Sequence, residues 1–170
     1  MKYFQQHPSA RVVLLLSNKP EAFALERAKK FNVPAKVFTR QQWKESEIVL
    51  EWLAEKEVTH IVLAGFLWLV PHYLIQAYPN RIINIHPALL PKFGGHGMYG
   101  MKVHENVKSS GEKETGITIH LVDQRYDEGE IVFQAKCSVE ESDTPITIAQ
   151  KVHELEYLHF SKVIEKILNR

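Results

Sequence analysis

The chain has 170 residues, 45% of them hydrophobic and 24% charged, a composition that fits one folded α/β domain and excludes a disordered segment. Lys and Arg number 21 against 20 Asp and Glu, so a formal charge of +1 gives no electrostatic reason to expect nucleic acid or an anionic membrane. A single cysteine, Cys137, excludes an internal disulfide and a cysteine-rich metal site, and the apolar runs 61–64 and 66–70 are too short to span a bilayer. The amino terminus reads without a signal-peptide hydrophobic region, so the expectation is a soluble cytoplasmic domain.

In chain order, 12–16 is a continuous apolar run, the mark of a strand buried on both faces. Asn18, three residues before Glu21 and followed by Pro20, predicts a helix start. Ala22, Leu25, Ala28 and Phe31 continue it at helical spacing until 32–34, Asn-Val-Pro, stops it. A brief strand over 36–38 leads to Thr39 and Gln42, a capping box for a helix running to about Glu57. The pattern then predicts a strand over 60–64, a short helix over 71–78 and a strand over 81–85. The glycine- and proline-rich stretch 87–97 reads as a loop, and a helix follows from about Met101 to Ser110. Strands over 116–122 and 131–138 predict an antiparallel hairpin. Thr144-Pro145 caps a long last helix with Ala149, Val152, Leu155, Val163 and Ile167 on its inner side. Alternating strands and helices predict one α/β domain over 1–170. Its sheet is doubly wound and mostly parallel, with an antiparallel hairpin near the carboxyl terminus and ligands bound beyond the strand ends.

Three segments carry residues able to do chemistry. Asn84 and His86 lie two apart at a strand end, so their side chains share one face. An amide and an imidazole there are able to polarise a carbonyl and stabilise an oxyanion; the plainer alternative is that both satisfy loop backbone groups. The loop 123–130 holds four acidic residues, which suits a solvated turn. Folded over the sheet end, however, it would bring Asp127 to His86 and raise the imidazole pKa. The run 66–70, Phe-Leu-Trp-Leu-Val, is either core beneath the next helix or an apolar slot for a flat heteroaromatic ligand. Among the histidines, His86, His96, His104 and His120 lack paired i, i+4 spacing, and His153 and His159 stand six apart, so no metal is expected.

The run Arg81-Ile82-Ile83-Asn84-Ile85-His86-Pro87-Ala88-Leu89-Leu90-Pro91-Lys92-Phe93-Gly94-Gly95 closely resembles the signature of formyltransferases that use 10-formyltetrahydrofolate. Its form is most similar to the phosphoribosylglycinamide formyltransferase family. Three further blocks agree in order and spacing: 61–66, 116–120, and 127–129 followed by 131–136. The resemblance spans about Val12 to Leu168. It implies the formyltransferase fold and a catalytic trio of Asn84, His86 and Asp127. Folate contacts are implied at Arg40, Leu67, Trp68, Leu69, Val70, Asn84, Asp123, Gln124, Arg125, Tyr126 and Asp127, and contacts to glycinamide ribonucleotide at His153, Glu154, Leu155 and Glu156.

The implied co-substrate is 10-formyltetrahydrofolate, with no metal, and the implied reaction is formyl transfer to the ribonucleotide amine in de novo purine (IMP) biosynthesis. The implied partners are these two small molecules, with no nucleic acid and no membrane, and the chain acts as a monomer or homodimer. Two alternatives share the motifs: a formyltetrahydrofolate hydrolase, and a folate-binding chain without turnover. Family members begin with a strand and a glycine-rich phosphate loop. Nothing before Val12 matches these, and Met1 to Gln6 resembles the last turn of the helix that follows them. The expectation is therefore a domain that is incomplete at its amino terminus relative to the family.

Overall fold

The structure, a computed structural model, describes residues 1–45 and 47–169. The chain divides into two compact units, Met1–Thr59 and His60–Arg170. In the first, a 3-10 turn, Lys2–Phe4, precedes strand β1 (Leu15–Ser17), helix α1 (Phe23–Lys30), strand β2 (Ala35–Val37) and helices α2 (Arg40–Glu45) and α3 (Glu47–Glu55). β1 and β2 pair in parallel, Leu15 opposite Ala35. The predicted strand over 12–16 is thus shorter and begins later, because β2 offers only three residues to pair with. The helix expected from Asn18 begins instead at Phe23. The Ser17 hydroxyl accepts the Lys19 N–H at 3.1 Å and donates to the Lys19 carbonyl at 2.9 Å, and this local turn takes the groups a helix start would use. The Thr39–Gln42 capping box forms as predicted: the Gln42 N–H donates to Thr39 Oγ1 at 3.2 Å and the Thr39 N–H to Gln42 Oε1 at 2.9 Å. Residue 46, inside the single helix expected there, lies outside the described residues.

The second unit holds β3 (Ile61–Leu63), α4 (His72–Ala77), β4 (Ile82–His86), α5 (Met101–Ser109), β5 (Glu114–Leu121), β6 (Ile131–Ser138) and α6 (Pro145–Leu168). Its sheet has the order β3-β4-β5-β6. β3 and β4 run parallel, while β4–β5 and β5–β6 are antiparallel. The α/β architecture is the expected one, but the antiparallel part begins one strand earlier than the β5–β6 hairpin. Gly116 is required where β5 meets β6, since a Cβ there would collide with the Ala135 carbonyl oxygen.

Strand alternation divides this sheet into two faces. Ile85, Ile117, Phe133, Ala135 and Cys137 join Val107 of α5 and Ile148, Val152 and Leu155 of α6 in one apolar cluster. Ile117, Ile148, Val107 and Val152 are fully buried in it. α6 is set against this face by its first turn, where Thr144 and Thr147 cap each other reciprocally and Pro145 occupies the first helical position. The opposite face carries Asn84, His86, Thr118, His120 and Gln134. Among the described residues no helix is long and apolar enough to cross a membrane.

Candidate functional site

Register fixes which polar side chains meet. Asn84 stands opposite His120, and His86 opposite Thr118, so all four project from the same face of β4 and β5. The Asn84 Nδ2 lies 3.1 Å from His120 Nε2, and His120 Nδ1 lies 3.0 Å from the Leu121 carbonyl oxygen. A carbonyl only accepts, so in neutral His120 the proton sits on Nδ1 and Nε2 accepts one Asn84 N–H. The second Asn84 N–H is not used by His120.

His86, 4% exposed, ends β4. Its Nε2–H donates to the Phe93 carbonyl at 2.7 Å, which leaves Nδ1 3.5 Å from Asp127 Oδ2. Asp127 also accepts the Gly95 N–H at 3.0 Å, and its Oδ1 lies 3.6 Å from His120 Nε2, too long for a hydrogen bond. The loop after β5 therefore does fold back to the end of β4. It is pinned by the Asp123 Oδ1 that accepts the Arg125 N–H at 2.8 Å and by Tyr126 edge-on to His96. Asp127 itself sits at φ +57°, in the left-handed region that is uncommon for a residue with a side chain. Such strain persists only where the surroundings impose it. Gly129 must be glycine, since a Cβ there would collide with the Leu121 carbonyl oxygen.

The electrostatics correct one expectation. Asp127 was expected to raise the His86 pKa, and it does push it up, but it does not decide the net shift. Burial pushes His86 down, and although Asp127 and the Phe93 carbonyl push it up, burial prevails, so the ring is held below the ordinary histidine value. Burial pushes Asp127 up, but His120, His86 and the Gly95 N–H together outweigh it and hold its carboxyl below the usual range. The pair at rest is thus a neutral imidazole beside a carboxylate.

The other sequence-predicted residues are distributed as follows. Leu67 and Leu69, between β3 and α4, are exposed at 47% and 44%, Trp68 stacks edge-on with Phe66, and Val70 is buried. Gln124 and Arg125 are exposed, with Arg125 paired to Glu128. On α6, His153 and Glu154 are exposed, Leu155 packs into the apolar cluster, and burial pushes the Glu156 carboxyl up while His153 opposes it. Arg40 is exposed at the start of α2 in the first unit.

Three residues of the polar face escaped the sequence reading: Gln134, and the β5 pair His120 and Thr118. The signal of the pair was the Thr-x-His alternation of β5, which repeats the Asn-x-His alternation of β4. A further missed residue lies off that face: His104 of α5 is 3% exposed and its Nδ1 has no partner. Burial first, then His153 and His86, push its pKa down. Among the described residues no group of three or more His, Cys, Asp or Glu is arranged to hold a metal ion.

A mixed α/β sheet that buries a His–Asp pair and an amide at one strand end defines an enzyme-like α/β protein, and comparison with known proteins narrows the class. The sequence profile of the formyl transferase family matches residues 1–164. A phosphoribosylglycinamide formyltransferase of Bacillus subtilis (strain 168) is 36% identical over 168 residues, covering 96% of this chain and 84% of that protein. The chloroplastic phosphoribosylglycinamide formyltransferase of Arabidopsis thaliana is 40% identical over 161 residues; the match covers 92% of this chain but only 55% of the plant protein. The chain thus spans about half the length of this plant relative. Among solved structures, phosphoribosylglycinamide formyltransferase from Anaplasma phagocytophilum superimposes with a TM-score of 0.89 at 31% identity, covering 99% of this chain and 78% of that one. The chain belongs to the formyl transferase family.

Proposed function

We propose that this protein transfers the formyl group of 10-formyltetrahydrofolate to the primary amine of glycinamide ribonucleotide, a step of de novo purine biosynthesis. The observation that carries the reading is the meeting of Asn84, His86 and Asp127 at the end of β4, in a chain of this family. The folate supplies an electrophilic formyl carbon on its N10. The amine attacks that carbon to give a tetrahedral intermediate with negative charge on oxygen, which collapses as the N10–C bond breaks, and one proton passes in net from the amine to N10.

The residues divide this work. Asn84, held by His120 through one N–H, directs the other at the oxygen that gains negative charge. His86 is neutral at rest, so it is able to take up a proton as the amine sheds one. The growing oxyanion and Asp127 both favour the imidazolium at that moment, so the pair stabilises the transition state more than the ground state. Asp127, fixed by Gly95, stands 3.5 Å from His86 Nδ1 and stabilises the ring once that nitrogen takes up a proton. Exposed Leu67 and Leu69 fit an apolar wall for the pteridine, and the 123–127 backbone its polar edge. Glu156, its carboxyl pushed up by burial, is assigned to the ribonucleotide by the resemblance. For Arg40, Glu154 and His153 the assignment rests on the resemblance alone. The chemistry suits a cytoplasmic enzyme acting as a monomer or homodimer.

The test is product analysis with 10-formyltetrahydrofolate, with and without glycinamide ribonucleotide. Formylated ribonucleotide, formed only when both are present, is the expected result. Formate released without the ribonucleotide would mark a hydrolase, and folate binding with neither product would mark a binding protein.

A further inference from the structure

The polar face of the sheet carries a second hydrogen-bonded set that the roles above leave unused. Thr118 stands opposite His86 in register, and Gln134 stands opposite Thr118, so the three side chains form a row across β4, β5 and β6. Thr118 is fully buried. Its hydroxyl donates to the Ala88 carbonyl at 2.7 Å and accepts the Leu90 N–H at 2.9 Å and a Gln134 Nε2–H at 2.9 Å. One donor and two lone pairs are then all engaged. The other Gln134 N–H goes to the Leu90 carbonyl at 3.0 Å. Gln134 is an exposed residue whose amide nevertheless points inward and uses both N–H groups on this set.

Leu90 is where the brace meets the site. Both of its backbone groups are held by Thr118 and Gln134, and its side chain lies against Gly94, where an added Cβ would collide with Leu90 Cδ2 and stand 3.2 Å from Asp127 Cβ. On either side of Gly94 are the two backbone groups that hold the reacting pair: the Phe93 carbonyl on His86, and the Gly95 N–H on Asp127. Phe93 adopts φ +57°, a strained conformation for a residue with a side chain, which persists only if its neighbours impose it.

We propose that Gln134, acting through Thr118 and Leu90, is a positioning residue that fixes the 88–95 segment and thereby the geometry of His86 and Asp127. This rests on the reading of that pair as catalytic. An exposed position makes the test clean, because Gln134→Leu removes both donors without opening the core. Three measurements are made on the full chain: thermal unfolding, steady-state kinetics, and the NMR titration of the His86 ring. In Gln134→Leu, kcat should fall roughly 10- to 100-fold, the loss typical of a slightly misplaced reacting group, with Tm and the KM for folate little changed. The His86 midpoint should rise toward the ordinary histidine value as the covering segment loosens and burial relaxes. Thr118→Ser, which keeps the hydroxyl, should stay near wild type, whereas Thr118→Val, which strands the Leu90 N–H and the Ala88 carbonyl in a fully buried place, should lower Tm as well as kcat and raise the His86 midpoint as Gln134→Leu does. Unchanged kcat and an unchanged His86 titration in Gln134→Leu overturn the proposal, as does a kcat loss that merely follows a fall in Tm. If the wild-type chain forms no formyl product, the functional reading fails, yet the His86 titration still decides the brace because it needs no substrate.

Discussion

The two faces of the β3–β6 sheet are built by alternate residues of the same strands, yet they are held by different physics. On one face Ile85, Ile117, Phe133 and Ala135 meet α5 and α6, and what counts is apolar area removed from water and shape that leaves no void. On the other, Asn84, His86, Thr118 and His120 meet loops, and what counts is which atom faces which. The apolar face tolerates substitutions that conserve volume, whereas the polar face does not tolerate the loss of a single donor. Removing a fully buried partner there, such as the Thr118 hydroxyl, also leaves a group unpaired at a cost of about 1–3 kcal/mol, whereas at exposed Gln134 water is able to replace the lost donor. Substitutions on the first face should therefore be read in stability, and on the second in turnover.

The sharpest attempt to break that division is Asp127→Asn, which keeps the shape and an acceptor for the Gly95 N–H but removes the charge beside His86. Turnover should fall by roughly 10²- to 10⁴-fold, the usual contribution of a proton-transferring pair, while the protein stays folded. Steady-state kinetics beside a melting curve check it, and a loss below about tenfold would remove Asp127 from the pair. The mirror experiment is Ile148→Ala, at a fully buried position of α6 in the apolar cluster. It should cost about 2–5 kcal/mol in urea unfolding and leave kcat per folded molecule unchanged. A large kcat loss without destabilisation would show that α6 transmits strain to the site.

Acidification acts on titratable rings, not on the apolar cluster. His86, His104 and His60 are all held below the ordinary histidine value of 6.5, each chiefly by burial, so the unfolded chain binds more protons than the folded one as the pH falls past that value. The sign is thus a stability present above pH 6.5 and lost as the pH falls through the folded pKa values, with a slope of up to about 1.4 kcal/mol per pH unit for buried His86 and much less for His60, which water screens. Asp127, also held low, adds its own loss in a more acidic window, below the ordinary carboxyl value of 3.8. Urea midpoints at pH 7.5 and 5.5 test this, and identical midpoints would refute the burial of these rings. Ile148→Ala should shift both midpoints equally.

Much of the polar face was legible in the sequence, for a reason that also sets the limit. The placement of Asn84 and His86 on one side of a strand follows from a two-residue period, which is local. The pairing of Asn84 with His120 depends on a register between strands 36 residues apart, and no local spacing encodes it. The same holds for Gln134, which reads as one polar residue of an alternating strand until the register sets it opposite Thr118. The net direction of the His86 shift was not legible, because the attraction of Asp127 could be read from a loop sequence while the burial that outweighs it depends on how 87–95 covers the ring. Helix ends were legible where two side chains cap each other, at Thr39–Gln42, and not at Asn18, where the Ser17–Lys19 turn intervenes.

The smallest expected effect sharpens the comparison most, because it asks whether polarity alone confers function on that face. Lys136 lies two residues beyond Gln134 on β6, opposite Gly116, and so projects from the same side of the sheet. Its Nζ meets Glu114 Oε2 at 3.0 Å, but the two side chains are 61% and 58% exposed, so water screens the pair and competes for both ends. Lys136→Ala should change stability by no more than about 0.5 kcal/mol and leave kcat and KM at wild-type values. Gln134→Leu, at a neighbouring position with no charge to lose, should reduce kcat with stability intact. If the two variants behave alike, the face works as a diffuse polar surface and the brace through Leu90 has no separate role. If only Gln134→Leu loses turnover, the difference lies in what the side chain touches: Lys136 reaches another exposed residue of the sheet, while Gln134 reaches the backbone of the segment that holds His86 and Asp127.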